Sequence, residues 1–338
     1  MVRHVCVFVI LLVAAARAAH GQVPAAVKVG APVRFDITIL TTVVVPGSDR
    51  RIDQLRVYHA LPTPRSWATL PGFSVDTPVT FRPKSARLSR HEQTSADYLL
   101  WTLNSGFRPG KRLTFGTALT VISADRTFDP ARAAVSWEGY DAPRDDPAAV
   151  LDPNHRPHPT LAEVAADLRK GRTPPEAVTA ACEWVQKNIR YDASVPFDPT
   201  DMESLVKERR GHCGHMSRAV KDLTHSLGIP FRGVVGMNLM TPDGRSDELY
   251  AIRADYPNFH TWSEVWFPGV GWVEAEPSRG SKGFSIPAAY VQNNRWFQNY
   301  ALWYREDGEH KLHEWTMSGG AYRSDWQLEH TISFIRAE

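Results

Sequence analysis

Two short stretches hold the residue types that could do chemistry. RRGHCGHMSRAVKDLTHSLGIP, residues 209–230, sets Cys213 between His212 and His215 at the head of a strongly patterned segment. NFHTWSEVWFPGVGWVEAEPS, residues 258–278, holds His260, Glu264, Glu274 and Glu276. A cysteine at a helix N-terminus is favoured as its thiolate, because unpaired backbone N–H groups and the positive end of the helix dipole lie there. Gly211 can supply a tight turn into that helix, and Arg209, Arg210, His212 and His215 add local positive charge. The backbone N–H of Cys213 would face an oxyanion formed when the sulfur attacks a carbonyl. Such a thiol suits nucleophilic catalysis if a base lies nearby, and His260 is the candidate base.

On a strand, His260, Trp262, Glu264 and Trp266 share one face. The run Phe267-Pro268-Gly269-Val270-Gly271 turns the chain back into a second strand carrying Glu274 and Glu276. Register decides whether Glu276 joins His260. With Trp266 opposite Trp272, Glu276 falls opposite Trp262 and diagonal to His260; with Phe267 opposite Trp272, it points the other way. A Cys213–His260–Glu276 triad therefore needs an odd loop or a bulge, which the two glycines permit.

The order and spacing of GHC, GIPFRGVVG and HTWSEVWFPGVGWVEAEPS, with WVQKNIRY (184–191) leading in, resemble the core of the transglutaminase-like superfamily over roughly residues 160–280. The resemblance implies a papain-like α+β core, with Cys213 as nucleophile, His260 as general base and Glu276 in the place of the family's orienting aspartate. Glutamate keeps the charge but adds a methylene, so Asp255 and Glu264 stand as substitutes. The implied chemistry is thiolate attack on an amide, an acyl-enzyme, then transfer to water or an amine. Cys213 N–H is the expected oxyanion donor, with His212, Trp262 and Glu264 in support. The indoles of Trp184 and Trp262 are candidate side-chain donors, although an aromatic on a core face is the plainer use of each.

The reading is a cysteine-dependent amide hydrolase or peptidase acting on a protein or peptide, cell-wall peptide included. One alternative is acyl transfer to an amine, as in a protein-glutamine gamma-glutamyltransferase. The other is a non-catalytic binding protein that keeps the fold. A metal centre from His212, Cys213, His215 and His225 is weighed and set aside. Zinc takes three or four ligands at fixed geometry, adjacent His212 and Cys213 project differently, and no Cys-x-x-Cys accompanies them. No cofactor and no metal are assigned.

The elements around these motifs follow from periodicity. Residues 22–140 alternate as short strands, for example Val33, Phe35, Ile37 and Ile39, and read as an all-β sandwich; His59 reads as a packed strand residue. Residues 141–159 are polar and proline-rich and read as a solvated linker, with the histidines of HRPH, His155 and His158, exposed in it. The α+β domain, helices packed on an antiparallel sheet, spans 160–290. Thr160 with Glu163 would cap its first helix. Thr173-Pro174-Pro175-Glu176 starts a second, whose stripe of Val178, Ala181, Cys182 and Val185 makes Cys182 a buried, inert thiol. The third follows Cys213 and stops at Gly228. Residues 291–338 form an aromatic-rich extension, Trp296, Phe297, Trp303, Trp315 and Trp326 among them, suited to core packing or to a carbohydrate or peptide platform.

Of 338 residues, 43% are hydrophobic and 22% charged, as in an ordinary globular protein, and the formal charge of +2 excludes strong electrostatic attraction to nucleic acid or anionic membranes. MVRHVCVFVILLVAAARAAHGQ begins with a basic residue, then an apolar run too short to span a bilayer, then small residues. Residues 1–21 are therefore expected to be a cleaved signal peptide, the mature chain being secreted or periplasmic and not stably inserted in a membrane.

Overall fold

The computed structural model describes residues 25–337 apart from 46, 48–51, 63–73, 83–85, 91–96, 106, 141–149, 196–201, 240–249, 254–258, 279–282, 289, 295–299, 307–308 and 315–326. The expected signal peptide, Asp255, Trp296, Phe297, Trp315 and Trp326 lie outside the described residues. The β region comprises β1 (Val27–Val44), β2 (Ile52–Ala60), β3 (Ser74–Arg82), β4 (Arg87–Arg90), β5 (Asp97–Leu103) and β6 (Arg112–Phe128). A mostly helical stretch follows: α1 (Pro159–Arg169), α2 (Pro174–Asn188), β7 (Arg190–Tyr191), α3 (Met202–Glu208), β8 (Arg210–Gly211) and α4 (Cys213–Ser226). Then come β9 (Phe231–Asn238), β10 (Tyr250–Arg253), β11 (Phe259–Phe267), β12 (Gly271–Ala275), β13 (Ser285–Ile286) and β14 (Tyr290–Asn294). The last strands are β15 (Tyr300–Glu306), β16 (Glu309–Glu314) and β17 (Gln327–Ala337).

The expected α+β core is present. Strands β12-β11-β9-β14 form an antiparallel sheet. Val178, Ala181, Cys182 and Val185 of α2 and Met216, Ala219, Val220 and Leu223 of α4 bury their stripes in one cluster with Val265, Phe267 and Val273 of that sheet. Each large side chain so buried contributes about 1.5–3 kcal/mol. Helix α2 starts as its residues dictate: Thr173 is the N-cap and its backbone N–H donates to Glu176 Oε2 at 2.8 Å.

Helix α1 starts two residues earlier than expected. Its N-cap is His158, whose Nδ1 accepts from the Thr160 N–H at 3.3 Å, because Pro159 with its fixed φ fits the first helical position. The HRPH histidines are thus not exposed on a solvated linker. His155 is buried with Nε2 2.9 Å from Asp222 Oδ1, and Arg218 Nη2 donates to its Nδ1 at 3.3 Å. His158 N–H donates to Asp222 Oδ2 at 2.9 Å and its ring meets Glu203 at 3.0 Å. Residues 152–158 form a strap clasped to α4.

Strands β1 and β6 are long, 18 and 17 residues, and their inner faces cover two different partners. At one end Val43 and Phe115 share a core with Leu55, Val57, Leu99 and Trp101 of a second sheet, β16-β15-β2-β5-β4. There His59 is fully buried between Thr41 Oγ1 (2.9 Å) and Thr117 Oγ1 (2.8 Å), a packed strand residue. At the other end Phe35, Ile37, Ile39 and Val121 pack on Met237 of β9. Strands far apart in the chain share sheets. The sheet holding β1 runs β10-β17-β1-β6-β13, with β3 also on β6, and β15 of the aromatic segment pairs with β2. An unpaired strand edge takes its partner from wherever the chain supplies one. Among the described residues, no helix is long and apolar enough to cross a membrane.

Candidate active site

Cys213 is the first residue of α4. The turn before it is made by Arg209, at φ 54°, and not by Gly211. Gly211 has a different duty: a Cβ there would lie 2.7 Å from His215 Cβ, so the helix can approach β8 only over a glycine. His212 is the N-cap. Its Nδ1 accepts from Gly214 N–H at 3.1 Å, and its own N–H donates to His215 Nδ1 at 3.3 Å, a reciprocal cap built from two histidines. Gly214 N–H is therefore committed, and Cys213 N–H is the first-turn donor nearest the sulfur.

One turn on, Ser217 ties the helix to the strand of the base. Its Oγ donates to Trp262 O at 3.2 Å and meets Ser263 Oγ at 2.9 Å. Cys213 and Ser217 lie four apart on one helix face, so this bond fixes how far the sulfur stands from the start of β11. His260 is there, paired with Gly236 of β9. Across the hairpin Trp266 is opposite Trp272 and Phe267 opposite Gly271, leaving the three-residue loop 268–270, with Gly269 at φ 70° and Gly271, just after it, at φ 95°. This is the odd loop the triad needed.

His260 Nε2 accordingly bonds Glu276 Oε2. The other carboxylate oxygen, Oε1, accepts from both the N–H and the hydroxyl of Ser278, each at 2.6 Å. His260 and the Cys213 side chain favour each other's charged forms, and with Nε2 on the carboxylate, Nδ1 is the ring nitrogen left for the sulfur. The three residues are 4%, 2% and 1% exposed. Burial pushes the Cys213 thiol up, but the pull of His212 and His260 on the thiolate outweighs it, bringing the thiol to about 6. Burial likewise disfavours charged His260, yet Glu276 and the Cys213 sulfur raise it to about 9. Glu276 is held below its ordinary value despite burial, through His260 and Ser278. Between those values the pair is thiolate and imidazolium. Cys182 is the opposite case: fully buried, its thiol is pushed far up by burial and by the charges of Glu276 and Glu183.

Other expected residues serve other ends. Glu264 is ion-paired with Arg232, whose guanidinium lies 3.9 Å over the Trp272 ring, so it does not replace Glu276 at His260. Trp262 does not offer its N–H to an oxyanion: Nε1 donates to Glu274 Oε1 at 3.0 Å. Trp184 packs half-buried on the helical core, with the Arg209 guanidinium 5.8 Å from its ring. Arg210 turns to Glu208 and Asp192, away from the task of charging the sulfur. His212 and His215 are engaged in the cap, and His225 meets Asp152 O at 3.0 Å at the far end of α4. Sequence reasoning missed Ser217, Ser278 and Tyr290, whose ring centroid is 4.7 Å from that of His260. Ser217 at i+4 from the cysteine and Ser278 at i+2 from the carboxylate carried a local signal; Tyr290 carried none.

Comparison with known proteins agrees with this architecture. Residues 162–277 match the model of the Transglutaminase-like superfamily. YebA, an uncharacterized protein of Bacillus subtilis (strain 168), is 33% identical over 108 residues, which are 30% of this chain and 14% of the relative. The chain thus spans about one seventh of the length of that curated relative. The crystal structure of a candidate cysteine protease from Cytophaga hutchinsonii superposes with a TM-score of 0.59 at 15% identity, covering 90% of this chain and 99% of that one. It shows a shared fold. The periplasmic domain of TgpA from Pseudomonas aeruginosa matches at 18% identity and a TM-score of 0.30, over 70% of this chain and 88% of its own.

Proposed function

We propose that this chain, whose residues 162–277 match the model of the transglutaminase-like superfamily, is a cysteine-dependent amide hydrolase whose catalytic residues are Cys213, His260 and Glu276. The observation that carries the reading is the buried His260–Glu276 hydrogen bond beside Cys213, whose thiolate and the imidazolium favour each other. His260 takes the thiol proton, and the thiolate adds to the amide carbonyl. The oxyanion so formed meets Cys213 N–H at the head of α4. Collapse of the adduct breaks the C–N bond; the imidazolium returns its proton to the leaving amine, and an acyl-enzyme remains. His260 then removes a proton from water as its oxygen adds to the acyl carbon; the C–S bond breaks, which releases the acid and restores the thiolate–imidazolium pair. Glu276 keeps the ring oriented and stabilises its charged form throughout, as the carboxylate does in a serine triad.

The substrate class is protein or peptide, cell-wall cross-bridges included, which an exported chain would meet. The test is hydrolysis of a peptide library by the full chain against Cys213→Ala, with a labelled amine present. Cleavage lost in the variant supports hydrolysis. Incorporation of the amine in place of cleavage would reassign the acyl-enzyme to transfer. Neither reaction, with Cys213 no more reactive toward iodoacetamide than an ordinary thiol, would leave a binding protein on this fold.

A further inference from the structure

A buried ion pair crosses from the N-terminal sheet to the strands of the site. Arg126 of β6 grips Glu274 of β12 in two-pronged fashion, Nε to Oε2 at 2.6 Å and Nη2 to Oε1 at 3.0 Å. Its remaining nitrogen, Nη1, donates to Ala124 O at 3.0 Å and to Ser123 Oγ at 3.3 Å, which fixes the guanidinium plane. The same Glu274 accepts from Trp262 Nε1, and the Trp262 ring lies 6.0 Å from that of His260 at 20° between planes. Tyr290 leans on both, 4.7 Å from His260 and 5.5 Å from Trp262. The backbone of Arg126 is also paired with Ile286 of β13, whose side chain packs with Trp262, Tyr290 and Val234. One residue thus reaches Trp262 by a charged route and by a packed one.

Glu274 sits directly opposite Glu264 across the hairpin, and like charges so placed repel. Each is neutralised from a different strand, Glu264 by Arg232 of β9 and Glu274 by Arg126 of β6. An apolar contact would join the two halves with less desolvation cost. What the fork adds is direction: a planar guanidinium fixes the carboxylate, which fixes the indole N–H, which sets the ring beside the imidazole.

We propose that Arg126 is a positioning residue for His260, acting through Glu274 and Trp262, so that the N-terminal sheet sets how the imidazole faces Cys213. This rests on the triad proposed above. The test measures the rate of Cys213 alkylation by iodoacetamide against pH, with melting temperature in parallel, for the full chain and for Arg126→Lys and Trp262→Phe. The first keeps the charge and loses the fork; the second removes the N–H donor and shortens the ring. Leu119→Ala, in the core of the same sheet, controls for stability alone. The expected result is a fall of about three- to tenfold at pH 7 in both site variants, with the acid limb of the profile moved up, and an unmoved profile in the control. Lower melting with a profile superimposable on wild type, or a shift confined to Trp262→Phe, would overturn the proposal. A wild-type rate indifferent to His260→Ala would instead overturn the triad itself, and is read separately.

Discussion

Trp266 lies opposite Trp272 in the hairpin that closes the site, and this single pairing puts Glu276 on the face of His260. One residue of slip would turn the carboxylate to the other side of the sheet.

With the thiol at about 6 and the imidazole at about 9, the ion pair is populated between those values. Alkylation of Cys213 should rise through about pH 6, where an ordinary thiol would need about pH 8.5. His260→Ala removes a donor and a positive charge while burial remains, so the limb should move above ordinary thiol values. The rate at pH 7 should then fall by at least about thirtyfold. Cys182 should stay unlabelled in the folded chain, which mass spectrometry of the alkylated protein would check.

Glu276→Gln removes the charge that holds His260 up. Its imidazolium should then lose its proton at lower pH, and kcat/KM on the best peptide should fall by about 10²- to 10⁴-fold. Glu276→Asp keeps the charge, but the backbone at 276 is pinned by its N–H to Gly283 O at 2.7 Å. The shorter side chain cannot follow, so an intermediate loss is expected. Ser278→Ala, which leaves the backbone N–H on Oε1, should cost less than either.

Gly211→Ala would drive a Cβ to 2.7 Å from His215 Cβ. Because the contact is with the first atom of a buried side chain in the helix cap, the head of α4 must shift. The expected loss is about 1–3 kcal/mol of stability by denaturant melt, with alkylation of Cys213 slowed as well.

Asp222 joins the 152–158 strap to α4 through His155, His158 and Arg218. Asp222→Ala should cost about 3–5 kcal/mol, since half-buried Arg218 and buried His155 would be left without the carboxylate they face. In the native chain His155 is held below its ordinary value, by burial first and by Lys221, Arg218 and His225, against the pull of Asp222. The unfolded chain therefore binds more protons at this histidine as pH falls through its unfolded value, so its contribution to stability is lost on acidification. Melts from pH 8 to 5 should show this slope, and His155→Phe should flatten it.

The residues themselves carried much of the site. Cys213 at the head of a helix, the Thr173 cap, the stop at Gly228 and the alternation from His260 to Trp266 each depend on neighbours within a few positions, where propensity, capping and period act. The same short reach explains the local errors. Pro159 outcompeted Thr160 for the helix start, and a polar run at HRPH looked solvated because its partner, Asp222, lies 64 residues on. Tertiary structure decided the rest. It chose the hairpin register, turned Glu264 and the Trp262 N–H to Arg232 and Glu274, and sent β10, β13 and β17 to the sheet of β1 and β6. It also enclosed three polar side chains so that burial and mutual charge, working against each other, set their ionisation. Strand partners and desolvation arise between segments far apart in the chain, and no local pattern encodes them.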